Sequence, residues 1–429
     1  MVKSGDSSDN RTTRYSMQRT TFFSRLSRLA LPVVAASLLA ACGGDTSTSS
    51  TTSILPTTFY AHNAVFVNNT TLYTWGNNGA GELGRTTGSA LVPGFVLKFA
   101  NYSAGNGVSL GANHTLAFQK YSTIRAFGYN GYGQLGNGTT TNSTTPVAVR
   151  KSRTTASLSG VTAVAAGGYH SLALDRNGNV WGWGNNTLGQ LGRGVFTNLS
   201  TMTAERVIEE GGLEIAGVTK VAAGGNYSLA LLNNGSVWSW GYNALGQLGV
   251  GDTVSRFYAV PITSLSGVAQ IAAGGGHAMA LLNDGTVWAW GYNYYGQVGD
   301  GTTLNRLTPV QVVDINNNPL TGITLIAAGL DHSLAYNGAT GTLYLWGYNS
   351  FGQLGLGDTT TRYKATPMTV TPFLGTTDLP YTRQLFALGH YSRVRKSDGT
   401  WWAWGENSSG QLGNNTITNS STPIRINGL

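Results

Sequence analysis

The chain has 429 residues, of which only 10% are charged and 60 are glycine. So few ionisable groups argue against a surface built for acid–base chemistry, and glycine at about twice its usual share, without a collagen period, means many tight turns. The formal charge of +8 gives little support to nucleic-acid binding, because six lysines and arginines precede residue 42, leaving 20 basic against 16 acidic residues and no basic run to track phosphates.

The first predicted element is a secretion signal over residues 1–41. Arg19, Arg25 and Arg28 precede an apolar stretch, 29–41, of 13 residues, too short to span a bilayer as a helix. Met17 is an alternative start that leaves the mature chain unchanged. The stretch ends Leu39-Ala40-Ala41-Cys42-Gly43, which resembles the bacterial lipoprotein lipobox. That resemblance implies that Cys42, the sole cysteine, takes lipid and fixes an exported chain to the cell envelope, at the outer membrane or cell surface. One acyl chain anchors only marginally, and the lipoprotein pattern implies several. Residues 42–58, rich in serine and threonine, read as a polar tether.

From 59 to 429 the chain is read as one domain. The segment Trp-Gly-x-Asn-x-x-Gly-Gln-Leu-Gly, or a near copy, starts at Trp75, Phe127, Trp183, Trp240, Trp290, Trp346 and Trp404. Units of this size cannot bury their own apolar face, so they must stack or ring around a shared core. In one unit, His170-Ser171-Leu172-Ala173-Leu174 and Val180-Trp181-Gly182-Trp183 have period-two apolar character and flank Asn177-Gly178, a hairpin signal. A strand precedes them at Val164-Ala165-Ala166. Another follows the Gly-Gln-Leu-Gly turn, as at Pro146-Val147-Ala148-Val149 or Pro423-Ile424-Arg425-Ile426. Four-stranded units repeated around an axis are propeller blades, so the predicted fold is all-β, a seven-bladed β-propeller.

Trp181 and Trp183, like Trp238 and Trp240, stand at i and i+2 and share one sheet face, which predicts packing between adjacent blades. Asn78, Asn130, Asn186, Asn243, Asn293, Asn349 and Asn407 read as turn residues whose side chains bond nearby backbone. The string Gly-x-x-His-Ser-Leu-Ala-Leu, then Gly-x-Val-Trp-x-Trp-Gly-x-Asn-x-x-Gly-Gln-Leu-Gly, resembles the repeat of the regulator of chromosome condensation family over nearly everything from Phe59. The resemblance implies a seven-bladed ring. Since nothing after Leu429 supplies a further strand, residues 57–67 are expected to pair beside the C-terminal strand at 423–426 and close it.

The six histidines, His62, His114, His170, His277, His332 and His390, read as falling at one place in their repeats, with Tyr227 there in the remaining copy. Equivalent atoms on different blades are spread around a ring, whereas metal ligands converge, so these are read as hydrogen-bonded locks. No cofactor or metal is implied. No Gly-x-Ser-x-Gly elbow is present, which points away from an enzyme. Glu205, Glu209, Glu210 and Glu214 form the one acidic cluster, read as a solvated loop. Inside the turn motif, Tyr129, Tyr132, Tyr242, Tyr292, Tyr294, Tyr295, Tyr348 and Phe351 suggest an aromatic arc on one face, serving either as an interface or as local packing. The leading reading is a monomeric, lipid-anchored scaffold that engages a protein or glycan. An inhibitor of a secreted hydrolase is an alternative, and family resemblance adds guanine-nucleotide exchange.

Overall fold

The computed structural model describes residues 61–67, 70–98, 106–119, 121–152, 154–194, 199–369, 384–396 and 398–429. Cys42 and the signal and tether read in 1–58 lie outside them.

Blade 3 shows how each repeat folds. Its inner strand Val161–Ala166, second strand His170–Asp175, third strand Val180–Gly184 and outer strand Thr201–Arg206 pair antiparallel in chain order. Six of the seven sheets have this order. The first has three strands among the described residues, beginning at His62–Val67. The ring is therefore all-β with seven blades, as the repeat predicts. Inner strands line a central channel of about 310 Å³. Blade 2's outer strand runs Ser143–Ala148 and so begins before its Pro146, and its register slips between Ala126 and Gly128. Proline is tolerated there because an edge strand leaves its missing N–H unneeded.

The joints between blades are built alike. Trp75, Trp183, Trp240, Trp290, Trp346 and Trp404 are fully buried, each in the core shared with the preceding blade. Each indole N–H donates to a carbonyl of the preceding turn, as Trp290 Nε1 does to Gln247 O at 3.0 Å and Trp183 Nε1 to Gln134 O at 2.8 Å. The last turn glycine must lie flat against that ring. A Cβ on Gly249, whose φ is +71°, would come within 2.8 Å of Trp290 Nε1. Hence the motif ends in glycine.

A second set of bonds runs blade to blade around the whole ring. His62 Nε2 meets Thr115 Oγ1 at 3.0 Å, and His114, His170, His277 and His332 meet Ser171, Ser228, Ser333 and Ser392 at 2.9 Å. Those hydroxyls donate onward to turn carbonyls, Ser171 to Gln134 O at 2.9 Å for instance, so they accept from the imidazole N–H. Burial pushes His114, His170 and His277 down to about 3, which keeps them neutral. Where the next blade lacks the hydroxyl, tyrosine replaces histidine. Ala278 follows Tyr227, whose hydroxyl instead reaches His277 O, and Asn63 follows Tyr391, whose hydroxyl donates to His62 O at 2.7 Å.

Two sequence expectations are corrected here. His390 is not in register with the other histidines: the second strand of blade 7 starts at Tyr391, and His390 precedes it. A shift of one residue moves the side chain out of the joint. The described residues show no pairing between the N-terminal and C-terminal strands. Among the described residues, His62–Val67 pairs only with Thr71–Gly76, and Ser420–Arg425 only with Trp401–Gly405; residues 57–60 of the expected closing strand lie outside them. Blades 2 to 7 are each a consecutive run of four strands ending in the blade's own outer strand. Side chains make the seam: Asn63 Nδ2 donates to Gln411 O at 2.7 Å, Arg393 Nη1 donates to Asn63 Oδ1 at 2.7 Å, and Trp75 packs with Tyr391 and Leu412.

The turn asparagines reach farther than a local turn. Asn130 accepts from Leu135 N at 2.9 Å and donates to Thr139 O and Thr141 O at 3.0 Å, clamping the loop that leads to the outer strand.

Candidate functional site

One face of the ring is formed by the seven turns and the short loops that enter the second strands. Within a blade the two are tied by backbone: Tyr129 N donates to Asn113 O at 2.7 Å, Tyr348 N to Asp331 O and Glu406 N to His390 O at 2.9 Å. The side chain of each such loop residue then lies against the turn of the preceding blade. Asn113 Nδ2 donates to Glu82 Oε1 at 3.1 Å, Gln190 Nε2 to Asn226 Oδ1 at 3.5 Å and Gln297 Nε2 to Asp331 Oδ1 at 3.3 Å.

Aromatic residues gather in two groups on this face rather than in one arc. Tyr129 and Tyr132 pack edgewise at 6.3 Å, and Tyr169 joins them at 5.9 and 5.2 Å. The larger group spans three blades. Tyr292, Tyr294 and Tyr295 touch in blade 5; Tyr295 lies 4.6 Å from Tyr348 in blade 6; Tyr348 and Phe351 both pack on His390 of blade 7, at 5.4 and 5.1 Å. Tyr294 is 65% exposed, whereas Tyr242 is only 8% exposed and sinks into blade 4. Sequence reasoning misses Tyr169 and His390. The signal that finds them is the serine of the second strand: aligned on Ser171 and Ser392, both fall two residues earlier, on the loop.

Burial sets the chemistry of the ionisable groups here. It pushes the Asp331 carboxyl up to about 7 and raises Glu406, and it lowers His390 to about 4. Desolvation favours the neutral form in all three.

Elsewhere the chemistry is sparser. Among the described residues, Ser109 is the channel's one polar side chain, and its hydroxyl accepts from Ala166 N at 3.0 Å. A perimeter cleft of about 540 Å³ is lined by Trp181, Lys151, Arg193, Glu205 and Arg206. Its cations are partly committed: Arg206 lies 4.1 Å over the Trp181 ring and 3.6 Å from Glu214, and Arg193 pairs with Glu205. The acidic cluster read from the sequence is thus dispersed, with Glu210 turned to the Tyr258 hydroxyl at 3.1 Å. Among the described residues no group of three or more His, Cys, Asp or Glu is placed to hold a metal ion.

Comparison with known proteins places this geometry. A family model described as the RCC1-like domain matches residues 57–379, and one for the regulator of chromosome condensation (RCC1) repeat matches 398–429. The chain is 30% identical over 371 residues to the ultraviolet-B receptor UVR8 of Arabidopsis thaliana, covering 85% of this chain and 68% of that protein. It is 32% identical over 269 residues to the probable E3 ubiquitin-protein ligase HERC4 of Homo sapiens, covering 62% of this chain but only 19% of that protein. Human WBSCR16 superposes with a TM-score of 0.69 at 23% identity, over 83% of this chain and 94% of that one. Prp20p from Saccharomyces cerevisiae, a structure described together with its binding to Gsp1p and histones, gives 0.67 at 22% identity, over 85% and 87%. At such identities the two structures speak for the fold alone.

Proposed function

The chain belongs to the RCC1-like propeller family, and on that premise we propose that it is a non-catalytic scaffold that binds a protein through its turn face, held at a bacterial envelope by lipid on Cys42. Support for protein binding comes from the family, in which Prp20p is described as binding Gsp1p and histones. The ligase in the name of HERC4 is not carried over, because the chain spans 19% of that protein.

One observation carries the reading. The aromatic residues are not needed by the fold, since blade 3 makes the same turn with Asn185 and Leu188 and blade 7 with Glu406 and Ser409. The joints beneath are made by other residues, the motif tryptophans with the preceding turn's carbonyls and the histidines, or Tyr227 and Tyr391, that reach the next blade. Aromatic rings that packing does not require, half-exposed and adjoining across three blades, have the composition of an interface centre.

The test replaces Tyr295→Ala together with Phe351→Ala and compares photo-crosslinking in intact cells with the wild type. Specific crosslinked partners are expected to vanish while the thermal transition stays in place. Identical crosslinks from the double variant would reject the face. Anchoring is tested separately: Cys42→Ser should move the protein from membrane to soluble fractions, and continued membrane retention would reject lipidation.

A further inference from the structure

We propose that the partner presents a lysine- or arginine-bearing segment to this face, with its cation seated at Asp331 beside Tyr295 and Tyr348. The proposal rests on the protein-binding reading above and specifies the chemistry of what is bound.

The charge distribution is the first ground. None of the chain's 26 lysines and arginines falls in the seven turns, 77–84, 129–136, 185–192, 242–249, 292–299, 348–355 and 406–413. Nor does any fall in the facing loops at 61, 111–113, 167–169, 224–226, 274–276, 329–331 and 389–390. Those same segments carry Glu82, Asp331 and Glu406. The face therefore carries acids and no bases: Glu82 is fully buried and takes hydrogen bonds from Asn77, Ala80 and Asn113, which leaves Asp331 and Glu406. Farther out, the rim loops hold acids and bases that satisfy each other: Asp252 with Arg256 at 2.5 Å, Asp300 with Arg306 at 2.5 Å and Asp358 with Arg362 at 2.6 Å.

Asp331 is the second ground. Its side chain is 9% exposed and accepts from the neutral amide of Gln297, and among the described residues no salt bridge reaches it. Gln297 is itself fixed, taking the Tyr295 N–H on Oε1 at 2.9 Å, while the Asp331 carbonyl takes the Tyr348 N–H. Asp331 is therefore tied by one bridge to the backbone of Tyr295 and directly to that of Tyr348, whose rings lie 4.6 Å apart. A cation brought there gains both the carboxylate and the ring faces, in a site already stripped of water. Burial of a carboxyl without a cation is unfavourable to folding at neutral pH, so the residue is costly to the empty ring. Its contribution lies in the complex.

Fluorescence anisotropy of the purified full-length protein in detergent tests this. The probes are a fluorescein-labelled nonapeptide of alternating glycine and arginine and its glutamate counterpart. Wild type should bind the arginine peptide, weaken with salt and ignore the glutamate peptide. Asp331→Asn, which keeps the shape and the Gln297 contact, should bind at least tenfold more weakly while melting no lower than wild type. Equal binding by Asp331→Asn, no binding of the arginine peptide to wild type, or equal binding of the glutamate peptide would each overturn the proposal. The cellular crosslinks separate the two levels. Loss with the Tyr295 and Phe351 double variant but not with Asp331→Asn keeps the face and removes the cation; retention in both removes the face itself.

Discussion

Two layers of this ring, a few residues apart in every repeat, obey different rules. The joint layer repeats its chemistry almost without variation: an indole on a glutamine carbonyl, and an imidazole or phenol reaching the next blade. The turn layer above it keeps the same backbone and changes its side chains freely, from Tyr292, Tyr294 and Tyr295 in blade 5 to Glu406, Ser408 and Ser409 in blade 7. Side chains that must fit a neighbouring blade are held by that fit. Those that face outward are free to carry recognition.

The largest effect that can break the comparison comes from two glycines two residues apart. Gly249→Val puts a side chain into Trp290 at a positive φ and should cost about 4 kcal/mol or more. Gly251→Ala, also at positive φ but with its nearest neighbour 3.8 Å away, should cost about 1–2 kcal/mol. Equal losses in urea unfolding would mean that the joint is no stiffer than the loop.

Acid should attack the joint layer next. Histidine in the unfolded chain titrates near 6.5. In the ring, burial holds His114, His170 and His277 at about 3 and lowers His62 and His332 in the same direction. Between these values the unfolded state binds more protons. Stability is therefore whole above about pH 6.5 and is lost as pH falls toward 3, by up to about 1.4 kcal/mol per pH unit for each such histidine. Asp331 acts oppositely: its raised value makes it unfavourable near and above pH 7, and that burden lifts as pH falls. A urea midpoint unchanged between pH 7 and pH 5 would contradict the neutral, buried histidines.

A smaller effect sharpens the equivalence of the joints. Tyr391→Phe at the seam and Tyr227→Phe within the ring each remove one buried hydrogen bond between blades, which should cost about 0.5–1.5 kcal/mol apiece. Similar losses identify the seam as one joint among seven. A much smaller loss at Tyr391 would mark the seam as loose.

What the sequence shows and what it hides divide along the same lines. Seven blades, the hairpins and the shared face of Trp181 and Trp183 follow from period and spacing inside one repeat. The aromatic turn residues were visible for the same reason. The partner of each histidine was not, because Ser171 or Ser228 lies more than fifty residues beyond it, in the next blade. The sequence reading puts His390 in the wrong layer because its residue type matches while its strand register does not. The expected pairing of 62–67 with the C-terminal strand fails because the phase of the repeat against the blade is a property of the folded ring. Tyr169 and Asp331 belong to the face only because each lies against the turn of the blade before its own.

The most direct test of the division is a turn exchange. Tyr292→Asn, Tyr294→Thr and Tyr295→Leu together give blade 5 the turn that blade 3 already carries at Asn185, Thr187 and Leu188. If the turn layer is free for recognition, the thermal transition moves by no more than about 2 °C while the partner crosslinks disappear. An unfolded protein, or a folded one that keeps its crosslinks, would contradict it.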